Sequence, residues 1–191
     1  MGSRSLSLTV VVLFEGALGR RLERWRRCYD PLGADLVPPH LTLVAPFLAE
    51  PPLLALERHL WAVCHASPRV WLELGDGARD NGLIYVDVAV GGPELAALRE
   101  ALYTGPLAGQ AGPFRPRVVV AEPASEQELA LASRQLLGLP VRVSYEVTHV
   151  HLMAAHADGS WYVRDFFGLD GTYAARPAGR AGSIDPPGRT G

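Results

Sequence analysis

The stretch Pro38–Phe47 reads PPHLTLVAPF and decides how the rest of the chain is interpreted. If it forms a strand, alternate side chains point to opposite faces, so His40 and Thr42 share one face and Leu41 and Leu43 share the other. A group that titrates near neutral pH then stands beside a hydroxyl, and this pairing suits a phosphate group or its leaving oxygen. The simpler interpretation is an exposed strand face that carries polar residues, and the remaining sequence has to discriminate between the two.

The composition is that of an ordinary globular protein that can bury a core. The chain has 191 residues, of which 48% are hydrophobic and 20% charged, and its length allows one domain or two small lobes. Its formal net charge of -2 argues against a basic surface that wraps nucleic acid. A small phosphate-bearing ligand or an RNA end stays compatible with this charge.

Cysteine usage and the chain ends predict a cytoplasmic protein. Cys28 and Cys64 are too few for a disulfide scaffold and lack metal-ligand spacing, so we expect free thiols, with a Cys28–Cys64 disulfide as the alternative. The segment Met1–Phe14 is short for a signal peptide, and no stretch approaches a membrane span. We expect residues 1–173 to fold as one bilobal domain and the Pro- and Gly-rich residues 174–191 to form a disordered tail.

Hydrophobic periodicity predicts an alternation of strands and helices. A run of arginines at positions 20, 21, 24, 26 and 27 is interpreted as the solvated face of the first helix, with a contact to nucleic-acid phosphate as the alternative. Asp30–Pro39 is predicted to be a loop. Strands are predicted over 5–14, 70–74, 83–90, 117–121, 141–155 and 160–169 besides the opening stretch, and helices over 16–29, 51–66, 93–103 and 125–137.

This element order favours an α+β fold, because short antiparallel strand pairs occur between the helices. A doubly wound fold would instead need a run of parallel strands connected by helices. A strand beginning at His40 is followed by a helix and a two-strand return, and a strand beginning at Arg117 is followed by the same sequence of elements. We therefore expect two pseudo-symmetric lobes, each an antiparallel sheet with helices packed outside, and a cleft between them.

The residues 39–43, PHLTL, followed by Pro46-Phe47, resemble the first signature of the two-histidine (2H) phosphoesterase superfamily, which includes RNA 2',5'-ligases and 2',3'-cyclic nucleotide phosphodiesterases. Segments at Tyr29–Pro31, Leu102–Gly109 and Gly159–Trp161 resemble a small bacterial branch of such phosphoesterases. The resemblance runs from about Leu8 to Leu169. It implies a His-x-Thr motif in each lobe, with one imidazole acting as base, the other as acid, and both hydroxyls holding the phosphate.

The second motif departs from the family pattern. In the family it lies in a strand of the form Phe-x-Pro-His-x-Thr, and the matching residues here are Phe114-Arg115-Pro116-Arg117-Val118-Val119. Arg117 replaces the histidine; it stays protonated near pH 7 and binds phosphate well, but it cannot shuttle a proton. Val119 replaces the threonine of the family motif and can neither bind phosphate nor transfer a proton. Losing one member of an acid/base pair costs on the order of 10²–10⁴ in rate.

His149 and His151 lie two residues apart on the predicted strand 141–155 and therefore share one face. If that face lines the cleft, His151 is the candidate for a substitute acid. The alternative is that both histidines lie on an outer sheet face. A zinc site formed by these two and His156 is disfavoured, since no carboxylate or thiolate stands at a motif spacing beside them.

The resulting hypothesis assigns catalysis to His40 and Thr42 and phosphate binding to Arg117, with no metal and no cofactor. The expected partner is a nucleotide or RNA phosphate end, without membrane contact, and the expected reaction is that of a 2',3'-cyclic phosphodiesterase or 2',5' RNA ligase-like enzyme. Two alternatives stay open: a non-catalytic module that binds a phosphorylated ligand, and a structural adaptor whose cleft is vestigial.

Overall fold

The computed structural model describes residues 5–50, 52–123, 125–137 and 140–171. Its strands are β1 Leu6–Leu13, β2 His40–Ala49, β3 Val70–Asp80, β4 Leu83–Val90, β5 Arg117–Ala121, β6 Pro140–Val147, β7 His149–Ala155 and β8 Trp161–Gly168. Its helices are α1 Gly16–Tyr29, α2 Pro31–Leu36, α3 Leu54–Ala66, α4 Gly92–Leu102 and α5 Glu126–Leu136, with a 3₁₀ turn at Gly105–Leu107. The predicted tail 174–191 and Pro51, where the second helix was expected to begin, lie outside the described residues.

The fold is α+β, and in the described ranges its strands form two antiparallel four-stranded sheets, one in each lobe. The first sheet has the order β2-β1-β7-β8 and the second β5-β4-β3-β6. The two sheets are built alike, because β1 leads through α1 to β2 beside it at the edge, and β4 leads through α4 to β5 in the same way. The two motif strands therefore occupy equivalent edge positions, as the pseudo-symmetry predicted.

The lobes are not successive halves of the chain. The first sheet combines the N-terminal strands β1 and β2 with the C-terminal strands β7 and β8, whereas the second contains the middle of the chain. The order of strands along the sequence does not determine which strands become neighbours, because two strands that pair can be separated by a chain segment of any length.

Burial alternates along both motif strands as a period of two requires. On β2, Leu41 and Leu43 are buried in the core whereas His40 and Thr42 are partly exposed. On β5, Val118 and Val120 are buried whereas Arg117 and Val119 are partly exposed. Each strand thus anchors its aliphatic face in the core and leaves the motif positions accessible on the opposite face.

Two of the predicted loops contain regular secondary structure. The expected loop over 75–82 is mostly strand, because the hairpin turns tightly at Asn81-Gly82, both of which have positive φ (48° and 79°). Asn-Gly is the preferred pair for such a turn, since both of its residues adopt left-handed conformations. The expected loop over 30–39 contains α2, whose first turn is capped by the Asp30 carboxylate accepting from the Gly33 amide at 2.9 Å.

The predicted single strand 141–155 is two strands that belong to different sheets. β6 pairs with β3 and β7 pairs with β1 and β8, so the chain leaves one lobe and enters the other at Thr148. The Thr148 carbonyl accepts from the Leu169 amide at 2.9 Å at this crossing. The alternation of core-facing side chains changes phase at the break, because Val143, Tyr145 and Val147 face the core on β6 whereas Val150, Leu152 and Ala154 do so on β7. The prediction of a single strand overlooked this change of phase.

Candidate active site

A groove of about 530 Å³ separates the two motif strands and brings the predicted site residues together. Its first wall carries His40 and Thr42 of β2, and its second wall carries Arg117 and Val119 of β5. The remaining lining residues are Leu43, Ala45, Asp80, Arg99, Pro113, Phe114 and Arg115. We call this space the motif groove.

The His40 imidazole is oriented by the residues just before it. Its Nδ1 lies 2.8 Å from the Pro38 carbonyl oxygen, and because a carbonyl only accepts, Nδ1 carries the hydrogen of this bond. Burial lowers the pKa of His40 below its usual value, the Pro38 hydrogen bond opposes this effect, and the positive charge of Arg26 adds to it. The neutral ring therefore has its unshared electron pair on Nε2, which is the state of a general base.

Arg26 is not part of a solvated helix face, as the sequence predicted, but is buried with 5% exposure. Its Nη1 donates to the Val37 carbonyl at 2.8 Å and lies 3.4 Å from the Pro38 carbonyl, and its Nη2 lies 3.3 Å from Asp30 Oδ2. Buried guanidinium groups need such partners, since an unpaired buried charge is costly. Arg26 thereby fixes the segment that leads into the first motif.

Thr42 lies on the same face of β2 as His40 and opposite Val11 of β1. Within the described ranges its hydroxyl forms no hydrogen bond and is half-buried at the groove wall. A hydroxyl in this position can donate to a phosphate oxygen.

Arg117 is held at the start of β5 by contacts on two sides. Its Nη1 lies 3.8 Å from Asp80 Oδ2, and its guanidinium carbon lies 4.7 Å from the centre of the Tyr85 ring. Val119 stands opposite Tyr85 in the β4–β5 register. The second wall therefore presents one permanently charged donor and one aliphatic side chain where the family pattern has an imidazole and a hydroxyl.

Arg99 of α4 connects the two motif regions. Its Nε donates to the Leu43 carbonyl on β2 at 3.1 Å, and its Nη2 donates to the Gly112 carbonyl in the loop before β5 at 2.8 Å. The guanidinium carbon also lies 4.5 Å from the Tyr103 ring centre and 4.8 Å from that of Phe114. Arg99 thus fixes the separation of the groove walls while adding positive charge to the groove.

Arg115 forms an ion pair at the margin of the groove. Its Nη2 lies 3.1 Å from Asp87 Oδ2, and this hydrogen-bonded carboxylate raises the pKa of the guanidinium further. Asp87 also lines an adjacent groove with Glu73, Asp76 and Arg142, so carboxylates outnumber cations there. The motif groove has the opposite balance, with three arginines and one aspartate among its lining residues, and is therefore the more positive of the two.

The structure does not bring His151 into the motif groove. His151 faces Val11 from the strand opposite to β2, so Val11 separates it from Thr42 in the same cross-strand row. It lines a separate cavity of about 30 Å³ with Glu15, Tyr145 and His149. Burial lowers the pKa of His151, although Glu15 acts in the opposite direction.

The disfavoured zinc site at positions 149, 151 and 156 is not formed. In the described part of the chain, no group of three or more His, Cys, Asp or Glu side chains is arranged to hold a metal ion. His149 instead bonds through Nδ1 to Thr148 Oγ1 at 2.9 Å and packs edge-on against Phe166, whereas His156 packs against Tyr162.

Sequence reasoning missed the supporting residues Arg26, Asp80 and Arg99. Arg26 was hidden in a run of five arginines, and only its position on the buried stripe of α1, four residues after Leu22, could have distinguished it. Asp80 and Arg99 approach the groove from β3 and α4 through tertiary contacts, so no local pattern marks them.

The family model of the 2'-5' RNA ligase superfamily matches residues 14–159 of this chain. The chain belongs to the 2'-5' RNA ligase superfamily. A Bacillus licheniformis protein named "Putative phosphoesterase" is 34% identical over 152 residues, which cover 75% of this chain and 86% of that protein. A relative of the same name from Bacillus pumilus is 32% identical over 148 residues, covering 75% and 85% of the two chains. Membership confirms the 2H resemblance drawn from His40 and Thr42.

Solved structures confirm the fold of this superfamily member. Escherichia coli LigT complexed with 3'-AMP superposes with a TM-score of 0.65 at 20% identity, covering 87% of this chain and 99% of LigT. The Thermus thermophilus protein TT0787 superposes with a TM-score of 0.63 at 16% identity, covering 87% of this chain and all of that one. LigT has also been crystallised with phosphate and with ATP.

No helix in the described ranges combines the length and the apolar character needed to cross a membrane.

Proposed function

We propose that the motif groove binds the phosphate of a cyclic phosphate or phosphodiester at the end of a nucleotide or RNA and hydrolyses it slowly. The observation that carries the proposal is that His40 and Thr42 line one wall of a groove whose other wall carries Arg117. The LigT complexes with 3'-AMP, ATP and phosphate support a ligand of this class, since they have the same fold. The reaction takes place in the cytoplasm, where the free thiols of Cys28 and Cys64 persist.

In this mechanism His40 acts as the general base. Its Nε2 accepts a proton from the attacking water while its Nδ1–H stays bonded to the Pro38 carbonyl. Thr42 donates its hydroxyl hydrogen to one non-bridging phosphate oxygen, and the Arg117 fork donates to the other non-bridging oxygen and to the departing oxygen. The negative charge on the phosphoryl and departing oxygens is stabilised by these preorganised donors.

The rate is limited because the second wall lacks a proton donor of suitable acidity. Arg117 keeps its proton near pH 7, so protonation of the leaving oxygen by an imidazole is lost, at a cost on the order of 10²–10⁴ in rate.

Hydrolysis of nucleoside 2',3'-cyclic phosphates by the wild type and by His40→Ala tests the proposal. We expect a rate loss of about 10² or more in His40→Ala, since a general base contributes that much. Arg164→Gln is the matched control, because Arg164 lies outside the groove and its Nη2 pairs with Glu57 at 3.4 Å. Equal rates for the wild type and His40→Ala would remove His40 from the mechanism.

A non-catalytic phosphate-binding module is the second candidate function, favoured by the replacement of both second-motif residues in an otherwise complete groove. The double substitution of Arg117→His with Val119→Thr discriminates between the two candidates. Hydrolysis only in the double variant supports the module, whereas clear hydrolysis by the wild type supports the enzyme. The remaining alternative is a structural adaptor whose cleft is vestigial. Nucleotide binding by the wild type that weakens in Arg117→Ala would contradict it.

A further inference from the structure

The chemistry of the second wall determines which leaving groups the groove can accommodate. Resting on the proposed function, we infer that the motif groove is selective for phosphoryl substrates whose leaving oxygen departs as a stable anion, either a nucleotide phosphoanhydride or an aryl phosphodiester. Alkyl phosphodiesters, including ribose cyclic phosphates, are then its poor substrates.

One imidazole, that of His40, lines the motif groove in the described part of the chain. His40 has its Nδ1–H bonded to the Pro38 carbonyl, which leaves Nε2 as its single reactive nitrogen. Attacking and leaving oxygens lie roughly in line on opposite sides of phosphorus. His40 can therefore act on the water at the first wall but cannot reach the oxygen that departs toward the second wall in the same step.

The departing oxygen meets the side chains of the second wall. The second wall presents the side chains of Arg117 and Val119, and Asp80 beside them lies 3.8 Å from the Arg117 guanidinium as its ion-pair partner. Arg117 can donate hydrogen bonds to an anionic oxygen but keeps its proton, and Val119 has none to give. The wall stabilises an oxyanion and does not neutralise it.

Leaving groups differ in their stability as anions near pH 7. A phosphate leaving group has a second pKa of about 6 and is stable as an anion near pH 7. A phenol, with a pKa of about 10 as in tyrosine, is intermediate. A ribose hydroxyl is a far weaker acid, so its alkoxide requires the proton that an imidazole would have supplied. Only phosphate and phenolate leaving groups can depart when a guanidinium is the sole group that stabilises the departing oxygen.

Hydrolysis is a single displacement at phosphorus. Water forms the new O–P bond and loses its proton to His40 Nε2, and the electron pair of the breaking P–O bond stays on the leaving oxygen. This oxygen departs as an anion that is hydrogen-bonded to Arg117, and the proton on His40 passes to solvent.

The test compares thymidine 5'-phosphodiesters of 4-nitrophenol, phenol and ethanol as substrates for the wild type, Arg117→His and the control Arg164→Gln. A dinucleoside diphosphate, diadenosine diphosphate, tests the anhydride class. We expect the ratio of the 4-nitrophenyl to the ethyl rate to be about 100-fold larger in the wild type and Arg164→Gln than in Arg117→His, because an added general acid contributes most where the leaving group is poor. If the dinucleoside diphosphate is hydrolysed at a rate comparable to that of the 4-nitrophenyl ester, phosphoanhydrides are the substrate class. If only the aryl esters are hydrolysed, aryl phosphodiesters are the substrate class.

The inference is overturned if the wild type and Arg117→His give the same ratio within about threefold. It is also overturned if the wild type hydrolyses uridine 2',3'-cyclic phosphate as fast as the 4-nitrophenyl ester, although the proposed function would then stand. Binding of thymidine 5'-monophosphate without hydrolysis of any ester overturns the inference and leaves the binding module. Failure of the proposed function itself is recognised separately, by undiminished hydrolysis in His40→Ala.

Discussion

Arg26 and His40 share one acceptor, the carbonyl oxygen of Pro38, which lies 3.4 Å from Arg26 Nη1 and 2.8 Å from His40 Nδ1. The imidazole is thereby tied to a buried guanidinium that also holds the Val37 carbonyl and Asp30. The chain from the end of α1 to the first motif is fixed by this one side chain. Arg26 is accordingly a positioning residue for His40.

This arrangement predicts the pH dependence of hydrolysis. Because burial and Arg26 lower the pKa of His40, the base is active over the neutral range and activity falls only as the pH drops through that lowered pKa, below the usual 6.5. Removing a nearby positive charge favours the protonated ring, so Arg26→Met should raise the pKa of His40 and shift the acid limb of kcat/KM to higher pH. Arg26→Lys, which keeps the charge, is the control. NMR titration of the His40 ring checks the direction, and an unshifted or lowered pKa in Arg26→Met would contradict it.

Arg99 should contribute strongly to stability because it connects the two groove walls. Arg99→Met removes two hydrogen bonds from a charged donor, leaves the Leu43 carbonyl without that donor, and loses two ring contacts. We expect the free energy of unfolding to fall by about 2–4 kcal/mol. Urea denaturation measures it, with Arg164→Met as the control. The Arg164–Glu57 pair is partly exposed, so its loss should cost less than about 1 kcal/mol. Equal losses in the two variants would show that Arg99 does not connect the walls.

The role of His151 as a substitute acid stays a prediction with a direct test. The acid role requires a proton path past Val11, because His151 lines a different cavity from Thr42. We therefore expect His151→Gln to hydrolyse a nucleoside 2',3'-cyclic phosphate within about threefold of the wild-type rate. A loss of about 10² or more, with unchanged urea denaturation, would assign the acid role to His151.

The two thiols should differ in reactivity. Cys28 is exposed on α1, whereas Cys64 is buried on α3 and burial raises its pKa to about 12. Since the thiolate is the nucleophile, titration of the native protein with a disulfide reagent should modify one thiol rapidly, and the second only after unfolding. Cys28→Ser should abolish the rapid phase. Two rapid phases, or a native disulfide, would contradict this arrangement.

Much of the fold followed from local patterns. The bounds predicted for α1 and β5 are those observed, and Ser125 caps α5 by accepting from the Glu128 amide at 3.3 Å, as its capping-box spacing indicates. These features depend on near neighbours in the chain. The break at Thr148 was not predicted, although the core-facing residues change there from odd positions such as Val147 to even positions such as Val150. The prediction of one strand over 141–155 overlooked this change.

The sequence by itself determined the α+β class, the superfamily and the pair His40 and Thr42, since side-chain alternation and a motif are properties of adjacent residues. Only the tertiary structure decided that Arg117 confronts that pair across one groove, that Val11 separates His151 from it, and that Arg26 and Arg99 hold it in place. The physical reason is that these contacts join residues distant in the chain, and their existence depends on which strands become neighbours and which side chains the core buries.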